Sequence, residues 1–380
     1  MVVTHTLVHA AGNIRSTIMP YLKEDFMLNN LQVGFITAVP PLAQALTSIP
    51  AGWISDRYGA KRLVAISIAL AAVGALVAGL SVNPWMFVVS ATLFTLTSTF
   101  YHPPAHSYTA RVVEPRKRAK AMGYLNAGGT FGVAVGPLSV SILMGYLMMT
   151  WRQLYLIWVA PIVLGLVFLL LVKTDPRGER NGEDNGTSDP EDDAPVTLLT
   201  REFILYISSR GIRMFGAGMV AAFLSIYLNE VRSWTVVQIG LMFGLSSVLG
   251  LIASPVGGSM AVRFGEKRWV VLSLVASYAF LLFAFFTPGV YPFMVMYLTY
   301  RFFGILAMPG MASITARLSP PDQIGMGYAL TFMPSSITGI VAPVVAALIA
   351  DTYGYLHIFV SATAIMYGSL LVFNFAVKND

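Results

Sequence analysis

The sequence repeats itself at an offset of 206 residues, and this duplication limits the possible folds more than any other feature. Segments 52–62 and 258–268 each follow a long apolar run and place glycine and basic residues at matching positions. At the same offset, Tyr21-Leu22 corresponds to Tyr227-Leu228. The chain is therefore one structural unit written twice, an arrangement typical of membrane proteins built from two similar helical bundles.

Composition places both copies in a lipid bilayer. Hydrophobic residues make up 56% of the 380 residues, charged residues only 11%, and the mean hydropathy is +0.70. A chain of this kind has too little polar surface to cover a water-soluble globule of this size. It lacks the aromatic and basic groove pattern of nucleic-acid-binding proteins, and it has no cysteine for disulfides or thiolate metal sites.

Apolar runs separated by glycine, proline and charge predict an all-α membrane protein with twelve transmembrane helices in two pseudo-symmetric six-helix bundles. The predicted helices lie near 2–21, 31–53, 63–82, 85–109, 121–149, 153–172, 203–228, 236–260, 269–287, 290–316, 325–350 and 355–377. The N-terminal bundle is predicted to cover 1–172 and the C-terminal bundle 202–380. The polar, acidic segment 173–201 between them is predicted to be a solvated cytoplasmic linker.

The distribution of basic residues predicts the orientation in the membrane. Of the 24 lysines and arginines, 17 fall on the side that holds both termini and the linker, and only Lys23, Arg152 and Arg232 fall in the opposite loops. Because basic loops stay in the cytoplasm, both termini are expected there, in a multi-pass protein of the plasma membrane. The net charge of +6 then reflects membrane topology rather than an acidic partner.

The loop between the second and third predicted helices carries a motif of glycines and charges. Its residues are Gly52, Asp56, Arg57, Gly59, Lys61 and Arg62, and a weaker copy contains Arg263, Gly265, Lys267 and Arg268. The pattern resembles the loop signature of the major facilitator superfamily, and the likeness extends to length, helix number, linker and duplication. It implies two bundles that give alternating access to a central cavity, with Asp56 and Arg57 in a latch between them. Val262 replaces the second aspartate, so an asymmetric latch is expected.

The fifth predicted helix carries Gly123, Gly132, Gly136 and Pro137, which resemble the antiporter motif of this superfamily. Val140 and Ser141 stand where that motif ends in two glycines. The physical interpretation of these glycines is close helix packing, and antiport is implied by the resemblance alone. Segment 100–104 (FYHPP), followed by segment 122–129, is similar to the fosmidomycin-resistance type of exporter, which implies efflux of a drug-like compound.

Four arginines fall inside predicted spans, whereas none of the 18 acidic residues does. These arginines are Arg15, Arg210, Arg213 and Arg301. An arginine at the centre of a spanning helix costs about 2.5–3.5 kcal/mol on insertion scales, so a bound anion is the expected partner. Alternatively, Arg15 and Arg210 extend to the membrane interfaces. The resemblance implies that helices 1, 4, 7 and 10 line the cavity, where Asn126 and Tyr101 are further candidates for substrate binding.

Two histidine pairs are candidates for coupling to protons. His5 and His9 lie one turn apart on the first helix, and His102 and His106 have the same spacing on the fourth. Imidazole is the side chain that changes charge near neutral pH. Two alternatives remain open. The histidines could bind a transition metal, which the nearby arginines disfavour by repelling a dication, or they could be ordinary hydrogen-bonded helix residues.

These observations predict a secondary active transporter that works by alternating access. Its expected substrate is a small organic anion or an acidic amphiphilic compound, with efflux by proton antiport as the first hypothesis. The alternatives are an anion exchanger, a proton-coupled uptake symporter, a transition-metal transporter and a membrane receptor that does not transport. A phosphate-binding loop of the Gly-x(4)-Gly-Lys-Ser/Thr type is absent, so an ATP-driven pump is disfavoured. We expect neither an enzyme nor a resident metal or cofactor, and we expect a monomer with the lipid bilayer, protons and a small molecule as its partners.

Overall fold

The computed structural model describes residues 1–58, 60–114, 117–170, 198–320 and 324–377, and within these ranges the regular structure is helical. The helices of the first half are α1 (Val2–Asp25), α2 (Asn30–Tyr58), α3 (Ala60–Gly79), α4 (Pro84–Val112), α5 (Arg118–Val140) and α6 (Trp151–Leu170). A π-helical segment, Ser141–Tyr146, continues α5. The helices of the second half are α7 (Arg201–Glu230), α8 (Val236–Val248), α9 (Gly250–Phe264), α10 (Glu266–Phe286), α11 (Val290–Leu306), α12 (Met308–Arg317), α13 (Ile324–Tyr353) and α14 (Tyr355–Ala376).

The helix bounds repeat at the offset seen in the sequence. Shifted by 206 residues, the start of α3 at Ala60 falls on Glu266, the first residue of α10. The start of α4 at Pro84 falls in the same way on Val290, the first residue of α11. The two halves of the sequence therefore form the same succession of helices.

Two of the predicted helices are each interrupted at one residue. The predicted helix at 236–260 is divided into α8 and α9 at Leu249, and the one at 290–316 is divided into α11 and α12 at Ala307. Proline explains the second break, because Pro309 has no N–H to donate to the carbonyl of Ile305. If each of these two helix pairs is counted as one span, the described part of the chain contains the twelve predicted spans.

Hydropathy supports the membrane assignment. Within the described ranges, nine helices or helix pairs are long and apolar enough to cross a membrane by length and composition. Helices α1 and α4 are not among them. Helix α2 is not among them either. Helices α1 and α4 carry the histidines at positions 5, 9, 102 and 106, and α1 also carries Arg15; these residues and several serines and threonines lower the hydropathy of both helices.

The described helices group into two compact units. The first contains α1 to α6, the end of α7 from Ser225 onward, and α8. The second contains the rest of α7 and helices α9 to α14. Most of the predicted linker, 173–201, lies outside the described residues, so the domain boundaries at 172 and 202 remain predictions.

Helix α1 is the centre of the first unit, where it packs against α4, α5 and α6. Its face toward the core is closely packed, and Ala10, Ala11 and Ile14 are fully buried. Glycines of α5 allow the close approach. A side chain at Gly136 would strike the carbonyl oxygen of Ala10. The polar residues of α1 are thereby held against α4 and α5 at a fixed register.

Candidate functional site

The four predicted histidines come together in the first unit. The ring centroids of His5 and His9 are 4.7 Å apart, and His102 lies 5.1 Å from the first and 5.2 Å from the second. His106 stacks on His102 at 6.1 Å, and its Nε2 is 3.3 Å from Oδ1 of Asn126 on α5. The two i, i+4 pairs predicted from the sequence therefore face each other across α1 and α4. We call these four residues the histidine cluster.

His5 is the most enclosed member of the cluster, with 3% of its surface exposed. Its Nδ1 is 2.7 Å from the carbonyl oxygen of Leu125, and because a carbonyl can only accept, Nδ1 carries the proton. When the ring is neutral, Nε2 is then its unprotonated nitrogen, and it lies 3.1 Å from Nε2 of His9. Gly129 leaves room for the ring, since an added Cβ there would lie 2.6 Å from Cε1 of His5.

Tyr101, predicted to bind substrate, fixes α4 to α1. Its ring stacks on His5 at 5.1 Å and is fully buried. Its hydroxyl lies 2.8 Å from Oγ1 of Thr4 and donates to the backbone carbonyl of Met1 at 2.9 Å. This geometry gives Tyr101 a part in positioning the cluster, and its contact with substrate remains a prediction.

Arg15 lies on a cavity of about 200 Å³ in the first unit. The residues that line this cavity are Val8, His9, Gly12, Asn13, Arg15, Gln44, Ala91, Phe94, Thr95, Ser98 and Tyr155. Nη1 of Arg15 is buried and has no hydrogen-bond partner among the described atoms. Within the described lining, no carboxylate faces this cation. The cavity thus combines one guanidinium group with neutral polar side chains and one member of the histidine cluster.

The predicted arginines of the second unit lie in more closed surroundings. Arg210 is 7% exposed, its Cζ is 5.9 Å from the ring centre of Tyr206, and it shares with Arg213 a cavity of about 10 Å³. That volume is about the space of one water molecule, so no organic substrate fits there in this conformation. Nε of Arg210, Arg213 and Arg301 is in each case buried without a hydrogen-bond partner in the described part of the protein.

The predicted gating motif is only partly described. Gly59 lies outside the described residues, and so do the surroundings of Gly52 and the side chains of Asp56 and Arg57 at the end of α2. Lys61 and Arg62 lie in the first turn of α3, where Arg62 is exposed. The latch predicted for Asp56 and Arg57 therefore remains a prediction.

The copy of this motif in the second unit is described throughout. Gly265 joins α9 to α10 with a φ of 85°, a left-handed conformation that favours glycine. Lys267 donates from Nζ to the carbonyl of Asn374 at 3.0 Å, whereas Arg263 and Arg268 are exposed. Glu266 forms an ion pair of 3.7 Å with Arg317, so a carboxylate takes part here although Val262 replaces the aspartate.

The glycines that resemble the antiporter motif differ in their surroundings. A Cβ at Gly132 would lie 2.9 Å from Cβ of His9, and Gly136 is equally close to α1. At Gly123 an added Cβ would have no atom within 4 Å. Pro137 follows at the end of α5, where its carbonyl lies 3.4 Å from Oγ of Ser141. Helix packing accounts for Gly132 and Gly136, and a role of the motif in antiport remains a prediction.

Several residues of this region were not identified from the sequence. Asn13 continues the i, i+4 series of His5 and His9, and its Nδ2 donates to the carbonyl of His9 at 2.8 Å. That spacing is a signal that could have identified it. Tyr155 on α6 also lines the cavity, but no local pattern marks it because its neighbours come from other helices.

The sequence matches the profile of the Major Facilitator Superfamily over residues 1–212 and again over residues 206–379. Multidrug resistance protein 1 of Bacillus subtilis (strain 168) is 23% identical over 336 residues, which cover 88% of this chain and 84% of that protein. The class B tetracycline resistance protein of Escherichia coli is 24% identical over 356 residues, covering 90% of this chain and 86% of that protein.

Solved structures share the fold. The bacterial homolog of the human lysosomal transporter Spinster, in an inward-facing and occupied conformation, superposes with a TM-score of 0.83 at 15% identity and covers 99% of this chain and 95% of its own. The nucleoside transporter NupG gives a TM-score of 0.78 at 14% identity and 99% coverage of both chains. From the profile match over both halves, the twelve helical spans and these likenesses, we conclude that the chain is a membrane transporter, not an enzyme, and belongs to the Major Facilitator Superfamily.

Proposed function

We propose that this transporter exports a small organic anion or an acidic amphiphilic compound in exchange for protons. The proposal depends on one observation above all, the unpartnered guanidinium nitrogen of Arg15 at a polar cavity whose described lining has no carboxylate. A cation enclosed by protein is stabilised by an opposite charge or by hydrogen bonds to its N–H groups. A carboxylate or sulfonate of the substrate would supply both.

The cavity supports a small substrate. Its volume of about 200 Å³ lies below the usual range of about 300–1,000 Å³ for ligand pockets, so only a small ligand would fit in this conformation. Asn13, Gln44, Thr95 and Ser98 offer hydrogen bonds around Arg15, and Phe94 offers an apolar wall. Arg210, Arg213, Arg301 and Asn126 are further proposed contacts, engaged in other conformations of the transport cycle.

Two observations support export in exchange for protons. The curated relatives at 23% and 24% identity are named as multidrug and tetracycline resistance proteins, which favours efflux here. The histidine cluster gathers the imidazoles of α1 and α4 beside the cavity, and His9 belongs to both. We propose that these histidines respond to protons during the cycle. The protein acts as a monomer in the plasma membrane, with both termini in the cytoplasm as its basic loops indicate.

A binding experiment tests the charge of the substrate. Purified protein is heated with carboxylates of increasing size, each paired with its neutral amide and its amine; benzoate, benzamide and benzylammonium are the first trio. A true ligand raises the melting temperature by mass action. We expect stabilisation by carboxylates alone, lost in Arg15→Ala and largely kept in Arg15→Lys.

The control for the loss of one positive charge is Arg201→Ala, because Arg201 is exposed at the first turn of α7. This variant should bind carboxylates as the wild type does. Stabilisation by the amines, or equal stabilisation of Arg15→Ala and wild type by the carboxylates, would overturn the proposal that the substrate is an anion.

A pH-jump experiment in proteoliposomes tests the exchange for protons, with the best carboxylate from the binding panel as the radiolabelled probe. Antiport predicts that an acidic lumen drives entry of the probe while protons leave. Entry driven by an acidic exterior would indicate a symporter instead. Entry that requires a second anion in the lumen and ignores the pH gradient would indicate an anion exchanger.

A further inference from the structure

We propose that His5, His9 and His102 form a binding site for one first-row transition-metal dication, Zn²⁺ or a similar ion. Their ring nitrogens can be chosen so that all three lie within 4.8 Å of one another. The three residues come from two helices, α1 and α4, that are in contact with each other. The following argument concerns binding of the ion and does not depend on what the protein transports.

The distances are close to those of a metal site. Zinc binds imidazole nitrogen at about 2.0–2.1 Å, which places the nitrogens of a tetrahedral site about 3.4 Å apart. Nε2 of His5 and Nε2 of His9 are already 3.1 Å apart. The nitrogens of the three residues lie within 4.8 Å of one another, so His102 needs a side-chain movement of up to about 1.4 Å to complete a tetrahedral arrangement.

The protonation of His5 is the one that a metal ligand requires. Metal-bound histidine usually donates its second N–H to a carbonyl or carboxylate, which fixes the tautomer and the ring orientation. Nδ1 of His5 makes this bond to the carbonyl of Leu125 at 2.7 Å and leaves Nε2 with a free lone pair. Tyr101 stacks on the same ring, and Gly129 lies against its other atoms. The ring of His5 is thus held in one orientation, with Nε2 available as a metal ligand.

His9 can serve as the second metal ligand after a change of tautomer. Two unprotonated nitrogens at 3.1 Å would repel each other, so without a metal ion Nε2 of His9 carries a proton and donates it to His5. On metal binding this proton moves to Nδ1 of the same ring, and both Nε2 atoms then face the ion. The contact between the Nε2 atoms of His5 and His9 is therefore compatible with the protein both without and with a bound metal ion.

The donor set indicates the class of ion. Imidazole nitrogens suit Zn²⁺, Co²⁺, Ni²⁺ and Cu²⁺, whereas Mg²⁺ and Ca²⁺ prefer oxygen. Three protein ligands leave a fourth position for a water molecule. The cavity of about 200 Å³ that His9 lines gives room for this water. Arg15 follows His9 by six residues, about 9 Å along the helix axis, so its positive charge should weaken the binding of a dication.

Visible absorption of bound Co²⁺ is the direct test, because four-coordinate Co²⁺ absorbs far more strongly than the six-coordinate ion in water. Full-length protein is purified through an affinity tag that contains no histidine and is titrated with CoCl₂. We expect the intense band to saturate at one equivalent and to disappear on addition of one equivalent of ZnCl₂.

Matched histidine variants locate the site. His102→Ala and His102→Gln should each weaken binding by at least about 100-fold, the upper end of the effect of lost outer-shell contacts on metal affinity. His357→Ala should leave binding unchanged, since His357 is exposed on α14. The two replacements at position 102 guard against a folding defect in one of them. Absence of the band in wild type, or an equal loss in His357→Ala, would overturn the proposal. Neither outcome bears on anion binding at Arg15, which is measured separately.

Discussion

Individual buried arginines of this protein are proposed here to bind the substrate, and their surroundings bear on that proposal. Nε of Arg301 is buried and unpartnered among the described atoms, although the guanidinium forms a hydrogen bond with Tyr300. Its described partners include no carboxylate, so its desolvation penalty is offset only in part. An unsatisfied buried polar group costs about 1–3 kcal/mol, and more when it is charged. The proposed role in substrate binding would explain why such a cost is tolerated in a membrane span.

Arg301→Ala should therefore abolish carboxylate transport and leave the melting temperature equal to that of wild type or higher. The matched control is Arg152→Ala. Arg152 donates from Nη2 to Asp25 and from Nε to the carbonyl of Ser81, each at 2.7 Å, so its loss should lower the melting temperature. Thermal unfolding and vesicle transport of both variants provide the comparison. A large drop in stability for Arg301→Ala would mean that Arg301 is a structural residue.

At the scale of the helix, the contact between α1 and α5 sets the register of the histidines. Gly128, Gly129, Gly132 and Gly136 all face α1, so the glycines of α5 form a groove for that helix. Membrane helices commonly approach closely at small residues in this way. The position of the histidine cluster is therefore a consequence of helix packing.

Gly132→Ala should destabilise the protein by about 1–3 kcal/mol, the usual cost of overpacking. The new Cβ would lie 2.9 Å from Cβ of His9 and strike the backbone carbonyl of Thr6. Gly123→Ala makes the same chemical change on the same helix at a position with no atom within 4 Å. It should be neutral or stabilise by up to about 1 kcal/mol, since alanine is the better helix former. Thermal melts of the two variants measure the difference, and equal melting temperatures would show that α5 does not pack on α1 as described.

The elements also show what the sequence could predict. Hydropathy and the 206-residue offset predicted the helices, because each is a property of consecutive residues. The i, i+4 spacing predicted that His5 pairs with His9, but not that Nε2 of one ring meets Nε2 of the other. The break at Leu249 and the place of Tyr155 on the cavity were not predicted. These depend on the rotation of helices against each other, which no local pattern records.

At the scale of the whole molecule, one ion pair connects residues from the two copies of the duplicated sequence. Nζ of Lys23, in the last turn of α1, donates to both carboxylate oxygens of Glu230 at 2.8 and 3.0 Å. The two side chains are 14% and 36% exposed, so this pair is less screened by water than a surface pair. Glu24 corresponds to Glu230 at the offset of 206 residues, yet it is Lys23 of the same turn that pairs with Glu230. Lys23 itself corresponds to Asn229, so the two copies differ at the residue that supplies the positive charge of this contact.

A charge swap tests whether this contact stabilises the state described here. Lys23→Glu and Glu230→Lys should each place like charges together and lower the melting temperature. The double variant should recover most of the loss, because the opposite charges are again adjacent. A double-mutant cycle should give a coupling of about 1 kcal/mol, the upper end of values for exposed pairs.

Lys117→Glu is the control. Lys117 and Glu114 form a pair in which both side chains are 71% exposed, so reversal of the charge at Lys117 should have little effect on the melting temperature. Additive single effects without recovery would mean that Lys23 and Glu230 act independently. Transport measured on the two single variants would then show whether the contact must open during the cycle, because removal of a contact that breaks in each cycle does not slow transport.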